Sequence, residues 1–93
     1  MFTGIIEAQG TLVALRHEGT NVHLDVRAPF TSSLQIDQSV AHDGVCLTVV
    51  AIDGDVYTVT AIEETLAKTH LGSCDVGHVF NLERCAVVVA IVG

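Results

Sequence analysis

The sequence contains few basic residues. Four lysines and arginines stand against eleven aspartates and glutamates among 93 residues, so the formal net charge is −7. Nucleic-acid-binding surfaces depend on clustered lysine and arginine, and anionic membrane surfaces attract the same residues. We therefore expect no nucleic acid and no membrane among the partners of this protein, and expect a neutral small molecule or another protein instead.

Cysteine and histidine patterns typical of disulfide frameworks and metal sites are also missing. The three cysteines form no CxxC pair, and the five histidines are scattered along the chain. An odd cysteine count indicates free thiols, so we expect a reduced, cytoplasmic protein without a bound metal. The N-terminal MFTGIIEAQG lacks the basic region that opens a signal peptide, and the longest apolar run, AVVVAIVG, is too short to cross a bilayer.

Motifs for well-known chemistries are lacking as well, since we find no paired carboxylates, no Ser-His-Asp set and no phosphate-binding loop. The sequence is instead rich in apolar residues. They make up 49% of the chain, and the mean hydropathy of +0.53 argues against a disordered chain. A chain of this length then forms one domain with one modest core.

Turn signals recur at short intervals and separate segments rich in β-forming residues. In the clearest segment, residues 21–27, Val22, Leu24 and Val26 alternate with polar residues. The predicted strands are 5–15 (bent or bulged at Gly10), 21–27, 45–52, 56–61 and 80–90, with a short one at 39–42. EETLAKTHLG predicts a short helix that ends at Gly72, and PFTSSLQ predicts a single turn. The fold class is therefore all-β, a small antiparallel barrel or sandwich with one or two short helices.

A barrel of about six strands fills its interior with side chains, so a ligand must lie in a groove on the wall. The strand after the turn at Asp43 predicts two faces: alternate residues from Val45 to Ala51 face the core, and alternate residues from Cys46 to Ile52 face outward. Cys46 and Thr48 could therefore floor a groove for a flat ring. The alternative is that both are ordinary residues of a strand.

Two further segments carry polar groups that have either a structural or a binding interpretation. TAIEET, residues 60–65, lies where a predicted strand meets the predicted helix, whose free N–H groups could bind a ligand. Alternatively, Thr60 and Glu63 form a capping box. Asn81 and Glu83 share the outward face of the last strand, where a solvated surface is the default expectation.

Four stretches, in the right order and spacing, resemble the N-terminal barrel of riboflavin synthase: MFTGIIE, SVAHDGVCLTVV, EETLAKTHLG and VGHVFNLERC. The resemblance implies a lumazine-binding barrel over residues 1–86, six-stranded and of Greek-key topology, and an apolar tail over 87–93 that departs from the family pattern. It implies a transferase that binds two molecules of 6,7-dimethyl-8-ribityllumazine and dismutates them to riboflavin by four-carbon transfer, without a cofactor or metal. Lumazine protein, a non-catalytic fluorescent binder, is similar to the same pattern.

The family pattern also implies a set of ligand contacts. Gly4, Ile5 and Ile6 would offer backbone to the ring, and Cys46, Leu47 and Thr48 would line the ring and the ribityl side. The other edge would be wrapped by Thr60, Ala61, Ile62, Glu63, Glu64 and Thr65. Ser39 and Asn81 are further candidates for polar atoms of the ligand. No catalytic residue is assigned, and Cys46 and Ser39 are the candidates.

The sequence departs from the family by containing one barrel where the enzyme has two. Full-length enzymes of the family are trimers whose active site is shared between barrels of different chains. We therefore expect a single barrel to be weakly active or inactive, and to form a homodimer in which the tail completes the last strand. The alternatives are a non-catalytic lumazine- or flavin-binding protein and a barrel with a purely structural role.

Overall fold

Six antiparallel strands close into a barrel in the computed structural model, which describes residues 4–84. In chain order they are β1 (Ala8–Glu18), β2 (Asn21–Arg27), β3 (Ser39–His42), β4 (Val45–Asp53), β5 (Val56–Ala61) and β6 (Val79–Arg84). Around the barrel the order is β1-β2-β5-β4-β3-β6. Since β3, β4 and β5 are consecutive and β6 returns beside β3, the topology contains a Greek key. The predicted all-β barrel is confirmed.

The helical segments are short and lie in the connections between strands. The helix α1 (Glu63–Lys68) and a 3₁₀ turn (His70–Ser73) connect β5 to β6, and a second 3₁₀ turn (Thr31–Ser33) follows β2. The predicted helix is therefore shorter than expected, because Thr69 is extended and its hydroxyl accepts a hydrogen bond from the Leu71 amide. Within residues 4–84, none of these helices has the length and apolar character needed to cross a membrane.

The core fills the barrel with aliphatic side chains from all six strands, and it also contains one polar pair. His42 and Tyr57 are fully buried, and the His42 Nε2 lies 2.8 Å from the Tyr57 hydroxyl. The His42 Nδ1 lies 3.0 Å from the Val40 carbonyl oxygen, which can only accept. Nδ1 therefore carries the proton and Nε2 accepts from Tyr57, so both partners are satisfied by a neutral imidazole. Phe80 packs edge-on against the same ring.

Strand β1 differs from its predicted form. It begins at Ala8, continues to Glu18, and has its irregularity between Leu12 and Ala14, where the pairing with β2 shifts register. Gly10 is regularly paired with Phe80 and is buried. A Cβ at Gly10 would lie 2.6 Å from Leu82 Cδ1 and 2.8 Å from a Val26 methyl. The lack of a side chain at Gly10 therefore leaves space for these two core side chains, and Gly10 does not bend the strand.

This close approach predicts that Gly10→Ala destabilises the barrel. Leu82 and Val26 are fully buried, so neither methyl group can move aside without disturbing its own neighbours. We expect the free energy of unfolding to fall by about 1–2 kcal/mol, as for a modest overpacking of a core. Urea unfolding measures the change. An unchanged unfolding midpoint for Gly10→Ala would contradict the prediction.

A β-bulge also breaks the predicted alternation of β4. The pairing with β5 shifts between Val49 and Ala51, so Val50 is the extra residue. Ala51, predicted to face the core, is exposed, and Ile52, predicted to face outward, packs against the core. The alternation is correct up to Val49, and that part of the strand carries Cys46 and Thr48 on the outside. The last strand is described only to Arg84, so the predicted continuation to residue 90 lies outside the described residues.

Candidate ligand-binding face

The outward residues of β3, β4 and β6 form a small polar face on the barrel wall. Ser39 is paired with Thr48, and Ala41 is paired with both Cys46 and Glu83. The small Ala41 side chain thus lies between the Cys46 thiol and the Glu83 carboxylate. The next pair on the same face, Ser39 and Thr48, carries two hydroxyls. We call these five residues the outer patch. Cys46 and Thr48 are exposed, as the alternation predicted.

Glu83 lies on the outward face of β6, as predicted, but its burial was not predicted. It is only 6% exposed, and its two carboxylate oxygens lie 3.0 and 3.2 Å from the amide nitrogen of Gly4, which donates to them. The expected solvated surface at Glu83 is therefore wrong. A carboxylate that receives a backbone N–H makes a charge-assisted hydrogen bond, which is stronger than a neutral one. Glu83 thus fixes the start of the described chain against the outer patch.

The segment from Gly4 to Glu7, here called the N-terminal strap, is held at both ends. At its far end the Glu7 amide donates to the Leu82 carbonyl, and the Glu7 carboxylate pairs with Arg84 at 2.8 Å. The hydrogen bonds from Arg84 lower the pKa of Glu7. Between these two anchors, Ile5 and Ile6 are 68% and 53% exposed. Apolar side chains held in the open beside a polar face are suited to covering a flat ring.

The border between β4 and β5 adds a second edge. Their pairing runs from Val49–Val59 to Asp53–Val56, so Thr48 and Thr60 are the first residues beyond its end. The Thr60 hydroxyl lies 2.8 Å from His23 Nδ1, and His23 Nε2 lies 2.7 Å from Glu18. This chain of polar groups on the outer wall holds the Thr60 side chain in place. The alternative capping box is wrong, because the N-cap residue of α1 is Ile62, and within residues 4–84 this helix start has no side-chain capping hydrogen bond.

The remaining predicted residues differ in their exposure to solvent. Leu47 and Ala61 point into the core and are buried, so they could touch a ligand on the wall only through their backbone. Ile62 is 54% exposed. The Glu64 carboxylate is also exposed, and it pairs with the Lys68 ammonium group at 3.2 Å. The Thr65 carbonyl accepts from Thr69 within the helical connection.

Glu63 and Asn81 complete the predicted set. Glu63 is exposed at the start of α1. Asn81 is outward on β6, two residues from Glu83, and its side chain accepts a hydrogen bond from Gln9 at 3.2 Å. The outer patch therefore gathers Ser39, Cys46 and Thr48 of the predicted residues, and the strap adds Gly4 to Ile6. The acidic residues of α1 are exposed.

Comparison with known proteins assigns the chain to a family. A model described as the lumazine binding domain matches residues 3–85. The chain belongs to the lumazine-binding domain family. It is 38% identical over 85 residues to a riboflavin synthase of Bacillus amyloliquefaciens, and the match covers 90% of this chain and 40% of that protein. The chain thus spans about two fifths of the length of such curated relatives.

Solved structures of similar proteins agree with the fold. A crystal structure of LumP complexed with 6,7-dimethyl-8-(1'-D-ribityl) lumazine matches with a TM-score of 0.85 and 25% identity, covering 92% of this chain and 49% of that one. A structure of LumP complexed with flavin mononucleotide matches with a TM-score of 0.84 and 26% identity, covering 90% and 48%. The resemblance to a lumazine-binding barrel that the sequence motifs indicated is confirmed.

Proposed function

We propose that this lumazine-binding domain holds one molecule of 6,7-dimethyl-8-ribityllumazine, or of the product riboflavin, between the outer patch and the N-terminal strap. The observation that carries the proposal is the anchoring of the strap by Glu83 beside the exposed Cys46 and Thr48. The barrel interior is filled by fully buried side chains such as Leu24, Tyr57 and Phe80. A ligand the size of a lumazine therefore has to bind on the wall.

The chemistry of the patch suits this ligand. The Ala41 methyl group leaves a low floor on which a planar ring can lie, and Ile5 and Ile6 offer apolar area to its face. Ser39 and Thr48 each offer a hydroxyl that both donates and accepts, which matches the ribityl hydroxyls and the polar edge of the ring. The ligand carries no phosphate, so the acidic net charge of the chain does not oppose its binding.

Dismutation needs two lumazines in contact, and holding two reactants in register is itself a large part of the rate enhancement. One outer patch binds one ligand. Turnover to riboflavin would therefore require a second barrel facing the first, either in a homodimer or from another domain. Cys46 and Ser39 are the proposed reacting groups, because both lie on the outer patch. The predicted role of residues 87–93 in such a dimer concerns a segment outside the described residues.

A non-catalytic lumazine- or flavin-binding protein is the second candidate. One observation favours it: the LumP complexes contain lumazine and flavin mononucleotide. Both candidates require the same wall site, and only riboflavin production distinguishes them.

A fluorescence titration of the purified chain with 6,7-dimethyl-8-ribityllumazine tests the proposal, with the same samples then assayed for riboflavin. Saturable binding without riboflavin supports a binding domain that lacks its catalytic partner. Saturable binding with riboflavin means that two copies assemble a working site. The absence of any saturable change would reject the proposed ligand site.

Thr48→Val is expected to weaken lumazine binding without unfolding the barrel. Valine keeps the shape of threonine and its preference for strands but removes the hydroxyl, so the loss should be about one hydrogen bond, roughly 0.5–1.5 kcal/mol. Thr11→Val is the matched control, because Thr11 is a half-buried threonine on β1, paired with Arg27 rather than with the outer patch. Equal affinity of wild type and Thr48→Val would remove Thr48 from the site.

A further inference from the structure

A second polar cluster lies at the turn between β3 and β4 and is separate from the five residues of the outer patch. The Asp43 Oδ2 is 2.9 Å from His70 Nε2 and 3.0 Å from His78 Nε2. His70, Cys74 and His78 each offer one nitrogen or sulfur atom, and these three atoms lie within 4.8 Å of one another. Asp43 therefore contacts two members of a cluster in which a thiol and two imidazoles converge.

The backbone holds each member of this cluster in place. Asp43 has a positive φ of 51°, and it is tied to Asn81 in both directions: its amide donates to the Asn81 carbonyl, and its Oδ1 accepts from the Asn81 amide. His70 begins the 3₁₀ turn, and the Cys74 amide closes that turn by donating to the Leu71 carbonyl. The His78 amide donates to the Asp75 carbonyl. The four side chains are thus presented by ordered backbone.

We propose that His70, Cys74 and His78 bind a zinc ion, each imidazole through the ring nitrogen that does not donate to the Asp43 carboxylate. Zinc prefers nitrogen and sulfur ligands in four-coordinate sites, whereas magnesium and calcium prefer oxygen, so this ligand set selects a borderline-soft divalent ion. Bonds of about 2.0–2.3 Å place the ligand atoms of a tetrahedral zinc site roughly 3.3–3.8 Å apart. The distances between the ligand atoms need to shorten by about 1.5 Å at most, which side-chain rotations provide.

The charges of the cluster also fit a dication. A Cys74 thiolate and the Asp43 carboxylate together carry two negative charges, and the neutral imidazoles carry none, so a zinc ion balances the group. A bound cation would stabilise the Cys74 thiolate. The His70 and His78 side chains are 40% and 33% exposed, which leaves the ion a route from solvent.

The ion would connect two segments of the chain. Asp43 belongs to the turn between β3 and β4, whereas the three ligands belong to the connection between α1 and β6. An ion held by the ligands and positioned by Asp43 would join these two parts of the chain on the edge of the barrel where β3 meets β6. The ligand positions 70, 74 and 78 follow the pattern H-x₃-C-x₃-H, which is none of the common zinc spacings, so the sequence alone predicted no metal.

Titration of the chelator-treated full chain with Co²⁺, a spectroscopic substitute for zinc, tests the proposal. We expect a thiolate-to-cobalt charge-transfer band, visible bands of tetrahedral intensity, and release of the cobalt by one equivalent of Zn²⁺. Cys74→Ala should abolish the charge-transfer band, and His70→Gln, at a half-exposed position, should weaken binding at least tenfold while leaving the fold intact by circular dichroism. Asp43→Asn should keep the band and weaken zinc binding by about 10–100-fold, as for a group that positions ligands.

Cys46→Ser and Cys85→Ser are the matched controls, because each removes one of the other two thiols. Both variants should bind cobalt like the wild-type chain. Two results would overturn the proposal. One is the absence of a charge-transfer band in the wild-type chain at millimolar Co²⁺. The other is a band that survives Cys74→Ala and disappears in either control, because the thiolate would then belong to a different cysteine.

Discussion

Acidification from neutral pH to about pH 4 should lower the free energy of unfolding of this barrel by about 3 kcal/mol through His42 alone. His42 is fully buried, and burial lowers its pKa from 6.5 to about 4. Its two ring nitrogens are already committed, Nδ1 to the Val40 carbonyl and Nε2 to the Tyr57 hydroxyl. A second proton would have to displace the hydrogen bond from Tyr57 inside a closed barrel.

The sign follows from proton binding in the two states. In the unfolded chain His42 takes up a proton as the pH falls through 6.5, while in the folded barrel it stays neutral until about pH 4. Between these values the unfolded state binds more protons, so the stability falls with decreasing pH. Glu7 and Asp43 have lowered pKa values, and their stabilising contribution is lost only at lower pH, below their ordinary values of 4.5 and 3.8.

Urea unfolding at several pH values, in the wild-type chain and in His42→Gln, measures this effect. Glutamine keeps one donor and one acceptor at the buried position but does not titrate. The variant is less stable at neutral pH, yet its stability should fall by about 3 kcal/mol less than that of the wild type on acidification, because every other titrating group is shared. Parallel pH profiles for the two proteins would show that His42 does not control the acid sensitivity.

The strand positions were predictable where alternation met clear turns. Residues 21–27, 39–42 and 56–61 form strands with the predicted bounds, because apolar alternation and flanking turn residues are local properties. The two register shifts, near Val13 and at Val50, were not predictable. Each inserts one residue among neighbours that are all compatible with a strand, so composition does not mark the position at which the inward face changes.

Some residues of the candidate site were likewise predictable from the sequence, and others were not. Cys46 and Thr48 were predictable as outward residues, because they follow a turn on a strand with regular alternation. Glu83 looked like surface because its partner, the Gly4 amide, is 79 residues away in sequence, and only barrel closure between β1, β6 and β3 brings the two together. The cluster at Asp43 was hidden for the same reason, since Asp43 and His78 lie 35 residues apart.

Glu83→Ala is expected to release the N-terminal strap and to reduce lumazine affinity by tenfold or more. A hydrogen bond to a charged group contributes about 1.5–3 kcal/mol, and each 1.4 kcal/mol is about a tenfold change in affinity when the strap must be ordered to cover the ring. Glu83→Gln should lose less, because its amide oxygen can still accept from the Gly4 amide. Asp53→Ala, which removes an exposed carboxylate at the end of β4, is the control for charge.

Two measurements separate the site from the fold in these variants. Hydrogen exchange at the Gly4 to Ile6 amides reports whether the strap is released, and the lumazine titration reports whether that release matters for binding. If the strap covers the ring, exchange and dissociation constant should rise together in the order wild type, Glu83→Gln, Glu83→Ala, with Asp53→Ala like wild type. Fast exchange at Gly4 with unchanged affinity would leave the ligand to the wall residues Cys46 and Thr48 alone, and Ile5 and Ile6 would then need another explanation for their exposure.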